Sequence, residues 1–174
     1  MKNTKKITFC GLIAALSVVF MLLSYIPYLT YTAPAIAGVF MMIIAIEVSH
    51  KWAYVSYFAS AVLIFMLAEN EAKILYILFF GIYPILKGSI EGLRRRVPEY
   101  IIKFSVFNIA MLLEVFLSVH LLGIPLDGMG FAGAYFYLIF AIAANVFFIV
   151  YDIALSRLVM LYMYRFHDRI RRLL

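Results

Sequence analysis

Cysteine is almost missing from this sequence: Cys10 stands alone among 174 residues. A single cysteine has no partner within the chain, which excludes a disulfide-stapled secreted scaffold. Charge is scarce too. Charged residues make up 14% of the chain, against about 25% in ordinary soluble domains. Catalytic signatures are also lacking: there is no Walker A sequence, no H-E-x-x-H and no C-x-x-C. The three histidines, His50, His120 and His167, fall in separate regions without metal-ligand spacing. The sequence therefore leads us to expect no enzyme, no metal and no cofactor.

Apolar residues are abundant instead. They form 67% of the chain, and the mean hydropathy is +1.03. A soluble fold of this length cannot hide so much apolar surface, which excludes a cytosolic globular enzyme and a disordered chain. The expected class is an all-α polytopic membrane protein whose solvent is lipid, with residues 1–174 as a single transmembrane domain. The formal charge of +6 suggests nucleic acid at first sight. Membrane proteins gather Lys and Arg on their cytoplasmic side, so the bilayer, not nucleic acid, is the expected partner of these charges.

A helix needs about 20 mostly apolar residues to cross the hydrocarbon layer. No charge occurs from Ile7 to Ile46, room enough for two spans, and Pro27 and Pro34 break the run. Helices are expected at about 7–25, 33–47, 52–68, 72–90, 103–122 and 131–156. The fourth ends near Lys87, which is expected to snorkel outward. With the N-terminus inside, every Lys and Arg except Lys73 falls on the cytoplasmic side. That bias is what the positive-inside rule requires, and it places both termini in the cytoplasm. The lysines and apolar stretch of residues 2–25 look like a signal peptide. The stretch exceeds an h-region of about 7–15 residues, so it reads as a retained first helix.

Glu114 lies 11 positions after Lys103, about 16 Å deep at a rise of 1.5 Å per residue. A carboxylate there costs at least about 2.5–3.5 kcal/mol, so it should face the bundle interior or a wet cavity. It reads as a substrate contact or proton-coupled site, with a structural carboxyl as the alternative. Ala110 and Ser118 flank it by one turn. Asn108 and Asn145 lie at similar depth and suggest an interhelical hydrogen bond. Tyr25, Tyr28 and Tyr31 recur every three residues in the first outer loop; Glu69, Asn70, Glu71 and Lys73 form the second; Tyr135 opens the last helix. Interfacial tyrosines form belts, yet aromatic walls with a few converging polar groups also make small-molecule sites. The candidate substrate-binding residues are thus Tyr28, Tyr31, Glu69, Asn70, Lys73, Glu114 and Tyr135. An acidic, tyrosine-lined pocket suits a neutral or cationic ring compound, whereas Lys73 suits a carboxylate. Gly11 and Ala15, with Ala14 beside them, form a small-x-x-x-small pair in the first helix, suited to close packing within the bundle or against another subunit.

A basic N-terminus leads into Ile7-Thr8-Phe9-Cys10-Gly11-Leu12-Ile13-Ala14-Ala15-Leu16, followed by six short helices. This pattern resembles the substrate-binding S components of energy-coupling factor (ECF) transporters, the micronutrient-uptake systems of prokaryotes. The resemblance implies a protein of the prokaryotic plasma membrane that binds a vitamin or vitamin precursor near the outer surface and hydrolyses nothing. It implies that Gly11, Ala14 and Ala15 dock on a coupling transmembrane subunit driven by two ATPase subunits. The family's A-x-x-x-A arrangement here begins with glycine. The alternative is a non-transporting membrane scaffold of a cell-envelope or cell-shape complex, with Glu114 and the tyrosines structural. A proton-coupled carrier is a third reading, weakened by the absence of a visible repeat pair.

Overall fold

The computed structural model describes residues 3–93, 95–122, 133–167 and 170. The described residues are mostly helical, without strands, and fall into six helical segments joined by turns. The first is α1 (Asn3–Leu22), tightened into a 3-10 turn at Leu23–Tyr25. Ile26 then becomes extended (φ −82°, ψ 126°) because a residue before proline is pushed out of the helical region. Tyr28 completes the reversal at φ 73°. In α2 (Thr32–Glu47), Pro34 sits in the first turn, where its missing N–H has no helical acceptor to lose. Ser49 caps α3 (His50–Leu67) by accepting from the Trp52 amide.

The fourth pass is broken. Glu69 caps the short α4 (Asn70–Leu75), its carboxylate accepting the amides of Glu71 and Ala72 at 3.0 Å. The chain then widens into a π-helical segment, Tyr76–Phe80, closed by Gly81 N–H to the Tyr76 carbonyl at 2.8 Å. It resumes as α5 (Tyr83–Glu91) with Pro84 in the first turn. Pro84 has no N–H to offer the Phe80 carbonyl four residues back, which ends the regular ladder there. That carbonyl lies against Gly38 of α2, where a Cβ would collide with it. Tyr57 of α3 donates its hydroxyl to the Ile77 carbonyl inside the widened turn. The last two passes are α6 (Arg96–Leu122) and α7 (Gly133–Arg165).

Two apolar cores hold these passes together. One packs α1, α2, α3 and the broken helix around Met21, Met41, Ile44, Ile64, Tyr76 and Ile85. Within it the Tyr76 hydroxyl meets Ser60 Oγ at 2.9 Å and Ser17 Oγ at 3.3 Å, so this buried phenol is satisfied by two other helices. The other core joins α6 and α7 to the broken helix and α2 through Phe79, Phe80, Tyr83, Phe107, Phe148 and Tyr151. The broken helix is the centre: 56% of its apolar window is buried, against 17% for each of α6 and α7. The outward surface stays apolar, with Leu12, Val19, Leu112, Phe116, Ile139 and Val146 all exposed.

By length and composition, four helical stretches can cross a membrane: Asn3–Tyr25, Asn70–Glu91, Arg96–His120 and Leu138–Arg165. The fifth helix begins earlier than expected from hydropathy, at Arg96, because Pro98 sits in its first turn. The sixth continues past its apolar run to Arg165. The expectation that Lys87 snorkels outward is corrected. Its side chain is 3% exposed and turned inward, because carboxylates on three helices meet it and Lys103 there.

Candidate functional site

One end of the bundle carries Tyr25, Tyr28 and Tyr31, and the other carries Lys51, Lys87 and Lys103. At the tyrosine end, hydrogen bonds tie the first two turns together. Tyr25 donates to the Leu67 carbonyl at 3.1 Å, and Thr30 donates to the Ser24 carbonyl at 3.2 Å. The Glu69 amide donates to Ser24 Oγ at 3.4 Å. Tyr31 donates to Glu71 Oε2 at 3.1 Å. Partial burial, and then the neighbouring Glu71 carboxylate, push the Tyr31 phenol above its ordinary pKa, so it stays a neutral donor.

Below Tyr31 lies a cavity of about 340 Å³. Its walls follow helical periodicity. Phe107, Ala110, Met111 and Glu114 recur at i, i+3, i+4 and i+7 along one face of α6, and Phe140, Ala144 and Phe147 do so along α7. Leu75 comes from the end of α4, and Leu78, Phe79 and Phe80 from the widened turn of the broken helix. Aromatic residues thus supply half of the twelve that line it. Ala110 leaves room one turn below Glu114. The size lies within the usual range for small-molecule pockets, about 300–1,000 Å³. Among the described residues, no hydrogen bond or ion pair reaches the Glu114 carboxyl, and no Lys, Arg or His lines the cavity.

The floor is tied to the lysine end. Asn108 and Asn145 exchange side-chain hydrogen bonds at 3.0 and 3.2 Å, clamping α6 to α7 as their depth suggested. Each also bonds the carbonyl four residues back, Phe104 and Ala141, so neither amide offers its N–H to a ligand. Phe79 stacks on Tyr83 with ring centres 4.7 Å apart. Tyr83 in turn donates to Asp152 Oδ1 at 2.6 Å. Asp152 pairs with Lys87 and, at 3.1 Å, with Lys103. Glu91 and Glu99 complete the cluster, Glu91 bridging both lysines at 2.8 and 2.9 Å and Glu99 reaching Lys103 at 2.9 Å. A separate pair of bonds, from Tyr162 at 2.7 Å and His167 Nδ1 at 2.9 Å, converges on Glu47 Oε1 and ties α7 to α2.

Of the candidate substrate residues, the cavity brings together Tyr31 and Glu114. Tyr28 is 95% exposed, and Tyr135 is exposed in the first turn of α7; neither lines the cavity. Glu69 is engaged as a helix cap and Asn70 is exposed beside it. The Lys73 ammonium lies over the Phe65 ring at 5.1 Å and is not part of the cavity wall. Asp127 and the glycines around it lie outside the described residues. Sequence reasoning missed the phenylalanines; the signal was the i, i+3, i+7 spacing of Phe107, Ala110 and Glu114. On α1, Gly11 and Ala15 are exposed, and a Cβ on Gly11 would meet nothing within 4 Å. Ala14 turns inward and packs on the first core. No family model, curated protein or solved structure matches the chain.

Proposed function

We propose that this protein is a solute-binding membrane subunit of the ECF S-component type. It spans the cell membrane six times with both termini in the cytoplasm, so the tyrosine end faces outward. A small molecule enters the cavity from outside. The flank of α1 bearing Gly11 and Ala15 docks on a coupling membrane subunit, and separate ATPase subunits supply the energy. The observation that carries the reading is the aromatic cavity with one unpartnered carboxyl, Glu114, at depth. A buried ionisable group in a membrane helix marks a functional site by default. The orientation is supported by the concentration of lysines and arginines at one end. The docking flank is supported by an α1 surface that its own bundle leaves uncovered.

The test is affinity purification of the full chain from its native membranes. A second integral membrane protein and ATP-binding-cassette ATPases should accompany it. Gly11→Leu should strip them away while leaving bound solute in place. Loss of solute together with the partners, in a variant that stays folded, would count against a docking role for α1.

A further inference from the structure

Resting on the solute-binding reading above, we infer that the ligand is a small monocation: a protonated amine or nitrogen heterocycle carried on a flat, apolar body. Glu114 lines the cavity and meets no described donor or cation. An ionised carboxyl in such a place requires a positive partner, since desolvation without one is costly.

Among the described residues, the cations at this end are engaged elsewhere. Lys73 is engaged over the Phe65 ring. His120 stacks on Phe116 at 4.2 Å and bonds the Phe116 carbonyl at 2.9 Å. The described residues of the tyrosine end thus hold Glu69, Glu71 and Glu114 against Lys73 and His120. A mouth in which carboxylates predominate concentrates cations from solution.

The walls point the same way. Phe79, Phe107, Phe140 and Phe147 line the same cavity as the carboxyl. Aromatic faces attract a desolvated cation within about 6 Å and equally accept a flat ring. The Tyr31 oxygen at the mouth already donates to Glu71, which leaves its lone pair to accept from an incoming N–H.

An isosteric series separates charge from shape. Tryptamine, neutral tryptophol and anionic indole-3-acetate are titrated against the full chain in zwitterionic nanodiscs, with binding read by saturation-transfer NMR at pH 7. Tryptamine should bind at least about tenfold more tightly than tryptophol, and the acetate most weakly. Glu114→Gln, checked for helicity and melting, should erase the advantage of the amine. Equal binding of tryptophol, or preference for the acetate, would overturn the charge assignment even if the variant fails to fold. So would an amine advantage that survives in folded Glu114→Gln, or no binding by any of the three. Whether the cavity holds any solute at all is decided separately by the native-membrane purification.

Discussion

Single residues set the character of the cavity. Glu114 was legible in the sequence because an uncompensated carboxylate amid apolar residues is costly wherever lipid is the solvent. Tyr31 was one of several equivalent loop tyrosines, and only the fold separates it from Tyr28. The latter holds a left-handed backbone conformation that side chains with a Cβ adopt at a cost of about 1–2 kcal/mol. Its ring is exposed and touches no wall. Tyr28→Gly should therefore raise the melting temperature by a few degrees and leave ligand affinity unchanged, as a thermal melt paired with a binding titration would reveal. Tyr76 is the opposite case. Its hydroxyl is shared between Ser17 and Ser60, each of which also has a backbone carbonyl partner. Tyr76→Phe should cost about 1 kcal/mol in reversible unfolding, the ordinary net worth of one hydrogen bond.

Among the elements, the broken fourth pass matters most, and it was only partly legible. Pro84 was the available signal, yet hydropathy runs through it without interruption. The widened Tyr76–Phe80 turn depends on Gly38, which lets α2 approach the Phe80 carbonyl. Gly38→Val should force α2 away from the broken helix and destabilise the fold by about 1–3 kcal/mol, the usual range for overpacking. Weaker ligand binding should accompany it, because Phe79 and Phe80 are wall residues. The Lys87–Asp152–Lys103 cluster was not legible at all. Its partners are 49 and 65 positions apart in sequence, and each alone looks like an interfacial charge. Asp152→Asn removes one of the two carboxylates, with Glu91, that both buried lysines face. Losing one partner of a buried pair costs about 3–5 kcal/mol, so this variant should unfold at distinctly lower denaturant. An unchanged midpoint would show that the cluster is solvated.

For the whole molecule, the expectation of six helices followed from two simple constraints: backbone groups must be satisfied within helices in lipid, and basic residues stay inside. Those constraints give an expected number of helices and a proposed direction but not which helix lies at the centre. They could not show that α6 and α7 stand apart enough to leave a cavity, because that depends on bulky Phe107, Phe147 and Phe148 meeting small Ala110 and Ala144. Orientation has its own check. In a Cys10→Ser background, Tyr28→Cys should react with an impermeant maleimide added to intact cells. Labelling only after permeabilisation would invert the bundle.

The most direct test of the central claim compares what the purified protein carries. Mass spectrometry of small molecules released from the detergent-solubilised wild type should find a compound that is absent from Ala110→Phe, in which a ring fills the space below Glu114. Identical small-molecule profiles from the two folded proteins, or nothing released from either, would contradict a solute site in this cavity.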